Sequence, residues 1–490
     1  LREIDIFNTL TGQKSRLVPL EAGHVRMYAC GITVYDECHI GHAMQAIYFD
    51  VIRNYLEYAG YKVTYVRNYT DVDDKIINRA RTLGIEPLAL SKRIIASTQE
   101  DMKNLGVRPA SWEPMVSESI PEIIDMVKAL VAKGHAYQTA AGDVYFRVRS
   151  KNDYGKLSNR KPDELRSGTR DLVAGDKEDD LDFALWKKDD TEGASWDSPW
   201  GRGRPGWHIE CSAMSKKYLG STLDIHGGGR DLVFPHHENE IAQSECCNGQ
   251  IYANYWIHSG LLTIDKQKMS KSLGNQITIK DFLGKWPAEV LRLSYLLQHY
   301  ASNTDFSMNV FKNTARRLLY YYETLDALDK AAAGAKDDAD VIPGHNPHLI
   351  ADDFHQHMSD DFNTVAALGM LNNYFAKAND VLKLKKSPAM AQTARLYAAS
   401  FRGVFNVLGM LKEQPEAFIN QLKDRLLTEL AVTKDEVENA IQARRDARAN
   451  KDYATSDKIR DELLAKGVVL KDTPAGTQWT IDFDALKPQI

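Results

Sequence analysis

Residues 30–43 run Cys30-Gly31-Ile32-Thr33-Val34-Tyr35-Asp36-Glu37-Cys38-His39-Ile40-Gly41-His42-Ala43, a thiol followed by two imidazoles. Sulfur and imidazole nitrogen are metal ligands, and a ring N–H also meets phosphate. The β-prone residues Val25, Met27, Tyr28 and Ala29 precede the string; Met44, Ile47, Phe49, Val51, Ile52, Tyr55 and Leu56 follow it, largely at helical spacing, and stop at Gly60. This pattern predicts a strand that turns through glycine into a helix N-terminus. Such a junction presents unpaired N–H groups and a partial positive charge, the usual seat of a phosphate in an α/β sheet.

Far downstream stands a second string, Lys268-Met269-Ser270-Lys271-Ser272, then Leu273-Gly274-Asn275. The ordered pair resembles the two ATP motifs of class I aminoacyl-tRNA synthetases. With Cys30 ahead of the first motif, the resemblance narrows to the cysteinyl-tRNA synthetase family and extends through most of the chain. It implies an α/β fold: a Rossmann-like parallel-sheet catalytic domain with an insertion, then an α-helical bundle and a small C-terminal α+β anticodon-binding unit. The expected divisions are 1–111 and 206–260 for the two catalytic halves and 112–205 for the connective insertion. A stem-contact region with the second ATP motif (261–309), the helical bundle (310–411) and the anticodon unit (412–490) follow.

Periodicity supplies the elements that must position these groups. A strand over Val63–Val66 leads to Thr70-Asp71-Val72-Asp73-Asp74, whose acidic residues suit a helix start better than a calcium site. The insertion opens with a helix over Pro121–Lys133 and a hairpin of Ala136–Thr139 against Val144–Val148. A polar stretch with Ser167-Gly168-Thr169-Arg170 and Asp176–Asp180 follows and is expected to be loop. After a helix from Gly206 toward Leu219, the strand Thr222–His226 is expected to break at Gly227-Gly228-Gly229-Arg230-Asp231. Those glycines are either a flexible turn or a close approach to the adenosine part of ATP, and the second is favoured. Pro235 suits the first turn of a helix, so His236 and Glu240 share a face while His237 and Glu238 point elsewhere.

Cys30, Cys211, His236 and Glu240 come from three separate segments and together form a borderline-soft donor set that suits zinc. No local Cys-x-x-Cys supports it, and the family resemblance carries the assignment at all four positions. A closed structural site is the alternative to one that selects substrate. The resemblance further implies that Thr70, Trp207 and His226 contact the amino acid, Trp207 alternatively being a core aromatic. It gives His39, His42, Lys268 and Lys271 to catalysis, and Gly41, Gly227, Gly228, Gly229, Asp231, Met269, Ser270 and Ser272 to ATP.

The 490 residues carry a net charge of −5, which excludes a protein that coats nucleic acid over its whole surface. Local basic faces must then serve tRNA, and Arg444, Arg445, Arg448, Lys458 and Arg460 on two C-terminal helices are the candidates. Five cysteines without disulfide-like spacing fit a reducing compartment. No apolar run of membrane-spanning length and no charged-then-apolar leader is found, so a cytoplasmic location is expected, and Leu1 points to a processed or trimmed start. The expected partners are cysteine tRNA, ATP with Mg²⁺ and L-cysteine, and the expected state is a monomer with one Zn²⁺. Two rivals are a cysteine ligase acting on an amino sugar and a zinc-dependent RNA-binding protein without catalysis.

Overall fold

Four parallel strands carry the candidate site. The computed structural model describes residues 1–161, 177–269, 274–336, 339–473 and 476–486. The strands stand in the order Ala253–Ser259, Leu223–Gly229, His24–Thr33, Lys62–Thr70. All neighbours run parallel. Parallel neighbours need crossovers, and helices Ile40–Tyr58 and Glu238–Asn248 provide them within each half. The halves meet where His24–Thr33 pairs with Leu223–Gly229. Ligands of open α/β sheets bind at the carboxyl ends of strands at such a change of direction.

Helices bury the sheet, so its strands read as near-continuous apolar runs: Val25, Met27, Tyr28 and Ala29 are all inaccessible to solvent. The first strand extends beyond the expected Ala29, through Cys30 to Thr33, with its register shifted between Ala29 and Ile32. The glycine run is also not a break. Leu223–Gly229 is one strand, because a Cβ at Gly227 would lie 2.3 Å from the Phe49 ring and one at Gly228 2.8 Å from the His237 ring. Glycine is there so that aromatic side chains can pack on the strand.

The insertion contains more sheet than expected. The hairpin Ala136–Gln138 and Val144–Phe146 continues into Phe183–Lys188 and Gly203–Pro205 as a four-stranded antiparallel sheet. Ser167–Arg170 and Asp176 lie outside the described residues.

The chain forms two compact units, one of residues 1–261, 299–304 and 358–363 and another of residues 262–298, 305–357 and 364–490. In the second, helices Met308–Ala331, Thr364–Leu382, Pro388–Val407 and Pro415–Glu429 pack through aromatic rings. Phe375 and Phe401 stack at 4.0 Å, and Tyr322 and Phe418 at 3.9 Å. Helices Lys434–Ala449 and Tyr453–Ala465 and the hairpin Val468–Thr473/Gly476–Ile481 follow. Among the described residues no helix is long and apolar enough to cross a membrane.

The strand packing predicts that Gly227→Ala destabilises the protein by about 1–3 kcal/mol, the usual cost of overpacking. Gly369→Ala, on a helix face with nothing within 4 Å of the new Cβ, should be neutral or stabilising. Denaturant midpoints check both, and an unchanged midpoint in the Gly227 variant contradicts the packing.

Candidate active site

The His39–His42 string shapes the start of helix Ile40–Tyr58 by an unusual cap. His39 is the N-cap, and its Nδ1 accepts the amide of Gly41 at 3.1 Å. The His39 amide donates in turn to Nδ1 of His42 at 3.3 Å, so two imidazoles do what Ser and Glu do in an ordinary capping box. The rings stack with centroids 3.8 Å apart. With both Nδ1 atoms accepting, the hydrogen-bond pattern assigns the ring proton to each Nε2. Burial pushes the pKa of His39 down to about 4; burial, then the neighbouring His39, pushes that of His42 down to about 3. Both are therefore neutral N–H donors at neutral pH rather than cations.

In the strand His24–Thr33 that precedes this helix, Cys30 joins a buried cluster. Cys30, Cys211, His236 and Glu240 offer ligand atoms within 4.8 Å of one another. Cys30 Sγ lies 3.6 Å from Cys211 Sγ and 3.3 Å from Glu240 Oε1, and His236 Nε2 lies 3.0 Å from that oxygen. A hydrogen bond from Cys30 and the charge of His236 hold the Cys211 thiol down, to about 6, against burial. Burial and its neighbours Cys211 and Glu240 push Cys30 well up. Burial lowers His236, but Glu240 and Cys211 outweigh it and raise the imidazole to about 10. Two sulfurs, an imidazole and a carboxylate in this space fit a borderline-soft divalent cation such as zinc, which relieves the mutual repulsion of the anionic donors.

The sequence reading placed two neighbours differently. His237 does not point elsewhere: its Nε2 lies 3.3 Å from Cys30 Sγ, because a wide turn over Val233–His237 precedes the helix proper. His226 is fully buried behind Glu240, with Nε2 2.8 Å from Oε2, so it orients that carboxylate rather than facing an amino acid. With Cys30 and Glu240, these two histidines make a second donor set. His208, which the sequence reading passed over, meets Nδ1 of His236 at 2.9 Å. Its signal was its place three residues before Cys211, on one helical face.

Trp207 begins the helix Trp207–Leu219 and remains 40% exposed, 4.3 Å from the His236 ring. Thr70 ends its strand nearly buried, its hydroxyl donating to Glu210 Oε2 at 3.0 Å. Gly227 and Gly228 are buried, whereas Gly229 is half-buried and Asp231 exposed. In the other unit, Lys268 ends the short strand Gln267–Lys268, followed by Met269. Ser270, Lys271 and Ser272 lie outside the described residues.

Of the basic candidates, Arg444 is corrected. It is 3% exposed and its guanidinium is bound by both oxygens of Asp472, at 2.7 and 3.0 Å, so it braces the hairpin rather than facing a phosphate. Arg448 also reaches Asp472, at 3.0 Å, but stays exposed, as do Arg445, Lys458 and Arg460.

A parallel sheet entered by a His39–His42 helix start, followed by helical domains, defines the chain as a class I aminoacyl-tRNA synthetase. Residues 16–316 match the family model described as tRNA synthetases class I (C) catalytic domain. Residues 353–412 match a DALR domain, and 433–479 the cysteinyl-tRNA ligase anticodon binding domain. The cysteine–tRNA ligase of Geobacter metallireducens is 49% identical over 481 residues, 97% of this chain and 99% of the relative. That of Desulfotalea psychrophila is 46% identical, covering 98% and 99%. Methionyl-tRNA synthetase of Mycobacterium tuberculosis, solved in complex with methionyl-adenylate, shares the fold at 14% identity and a TM-score of 0.60, covering 84% of this chain and 95% of that one. The chain belongs to the cysteine–tRNA ligase family.

The capped histidines give a pH prediction. A depressed imidazole pKa means the unfolded chain binds the proton first. Their contribution to stability is therefore full above the usual 6.5 and falls as pH drops toward about 4. Ring NMR signals of His39 and His42 should not titrate between about pH 5.5 and 8; a midpoint near 6.5 contradicts the buried cap.

Proposed function

We propose that this chain is a cysteine–tRNA ligase that adenylates L-cysteine with ATP and passes it to the terminal ribose of cysteine tRNA. The observation that carries this reading is the Cys30, Cys211, His236 and Glu240 cluster at the sheet of a class I synthetase fold. A thiol-recognising donor set beside a nucleotide-type helix start is what the activation of cysteine needs.

In the first step the cysteine carboxylate attacks the α-phosphorus, a C–O–P linkage forms, and pyrophosphate leaves with the electron pair of the broken P–O bond. The nucleophile is already charged, so the protein's task is positioning and charge stabilisation rather than proton removal. His39 and His42 are assigned to the phosphate side, each through a neutral Nε2–H, and the backbone at Gly41 is assigned beside them. Gly229 and Asp231 are assigned to the ribose. Gly227 and Gly228 keep their place in the ATP site only as the packed strand beneath it. Met269, Ser270 and Ser272 flank Lys268 and Lys271, whose ammonium groups counter the charge that grows on the leaving pyrophosphate. Mg²⁺ entering with ATP would share that neutralisation on the phosphate oxygens.

Zinc held by Cys30, Cys211, His236 and Glu240 would supply an affinity for thiolate over hydroxyl that an apolar pocket cannot match, separating cysteine from serine. Trp207, exposed beside His236, is assigned to cover the side chain, and Thr70, braced by Glu210, to line the pocket. The exposed Arg445, Arg448, Lys458 and Arg460 are assigned to tRNA phosphate contact, with affinity that falls as salt rises. The expected setting is a cytoplasmic monomer.

Cysteine-dependent ATP–pyrophosphate exchange tests the reading, with serine as control. Exchange with cysteine alone, lost on metal stripping and restored by zinc, is expected; exchange that survives stripping would reduce the metal to scaffolding. Lys271→Ala should lower the exchange rate by about 10²–10³ while sparing cysteine binding, the scale of one lost transition-state charge contact. Unchanged exchange would sink its role.

A further inference from the structure

Glu238 sits between the ligands His236 and Glu240, on the same segment, and has no part in the chemistry above. It is 1% exposed and turned toward the insertion. Its carboxylate receives four hydrogen bonds from one loop. The amides of Gly155, Leu157 and Ser158 donate at 2.9, 3.1 and 2.8 Å, and the Ser158 hydroxyl at 2.9 Å. Only an acceptor-only group with two oxygens can take four donors without offering one back. The neighbouring positions of the helix bind the same segment: Asn239 accepts from the Tyr154 hydroxyl at 2.5 Å, and Glu245 pairs with Lys151 and Lys156 at 2.8 and 2.6 Å. The loop closes on itself as well, the Arg160 amide donating to the Gly155 carbonyl at 3.2 Å.

What the loop presents is Arg160. Its guanidinium lies 4.6 Å from the ring of Phe234, in the turn that delivers His236 to the cluster. Arg160, Ser158 and Phe234 line a cleft of about 510 Å³ together with Arg230, Thr9, Tyr300 and Asp231, so a phosphate held by the arginines would neighbour the ribose assigned to Asp231. Arg230 is fixed there through a hydrogen bond from Nη2 to the Ala301 carbonyl at 2.5 Å. Both arginines are exposed, and they come from separate segments. Two guanidiniums converging on an open cleft, with aromatic rings beside them, suit a phosphate on a longer chain, since the planar fork matches phosphate oxygens.

We infer that Glu238 is a positioning residue: it holds the Gly155–Arg160 loop so that Arg160, with Arg230, receives a backbone phosphate of the tRNA arm that brings in the 3′ end. The inference rests on the cysteine–tRNA ligase reading. It also makes the helix that carries Glu240 the common support of the metal centre and of the tRNA contact.

The test uses the full-length, zinc-loaded protein with Glu238→Gln and Arg160→Ala. Zinc content and the KM for ATP in pyrophosphate exchange should match wild type, while the KM for tRNA in aminoacylation rises about fivefold or more in both variants, as for a lost charged contact. Amide exchange at Gly155, Leu157 and Ser158 should quicken in the Glu238 variant and stay at wild-type rates in the Arg160 variant. An unchanged KM for tRNA in both overturns the inference, and a parallel rise in the KM for ATP assigns the cleft to ATP instead. Absence of cysteine-dependent exchange in the wild type sinks the underlying reading; the amide-exchange difference still decides whether Glu238 holds the loop.

Discussion

A fully buried carboxylate sets the terms for the catalytic unit. Glu240 has no exposed surface, yet burial is outweighed by His226 and His236, which hold its pKa well below the ordinary carboxylate range. Each oxygen is engaged twice. Oε2 meets His226 at 2.8 Å and the Tyr252 hydroxyl at 2.9 Å, and Oε1 meets His236 at 3.0 Å and Cys30 Sγ at 3.3 Å. An isolated buried charge costs several kcal/mol, and loss of one partner leaves the other uncompensated. Two strands, the helix of Cys211, the turn of His236 and the Tyr252 loop are therefore pinned to one point. A cation at that point would complete the balance.

The same economy of polar groups runs outward. His236 is backed by His208, and His237 by His258, whose other nitrogen meets Thr9 Oγ1 at 2.8 Å. Imidazoles that support a ligand fix its ring orientation, which is why a metal site extends beyond the atoms that touch the ion. At the opposite end of the first strand's function, His39 and His42 use their Nδ1 atoms on the helix cap and leave Nε2–H for a ligand. Local structure and chemistry thus draw on different atoms of the same rings.

Much of this was legible in the sequence, for reasons that differ by residue. The strand-to-helix passage around Cys30 and His39 followed from periodicity, and the convergence of Cys30, Cys211, His236 and Glu240 followed from a family resemblance, since no spacing rule links segments so far apart. The places where the reading failed were those set by tertiary packing. The glycine run looked like the end of the strand because composition cannot show that Phe49 and His237 need the space above Gly227 and Gly228. His237 was turned away by ideal helical geometry, which the wide turn before the helix does not obey. His226 looked open to substrate, whereas it is enclosed behind Glu240. Arg444 looked like a phosphate contact because Asp472, its partner, lies on a hairpin 28 residues later. The strands Phe183–Lys188 and Gly203–Pro205 were masked by the turn-rich sequence around them.

The most direct test of the central claim is the metal itself. X-ray absorption at the zinc edge of the purified protein should give two sulfur neighbours at about 2.3 Å and lighter N/O neighbours at about 2.0 Å. Cys211→Ala should lose one sulfur or the metal altogether. A shell without sulfur, or a Cys211 variant with an unaltered shell, would contradict the account.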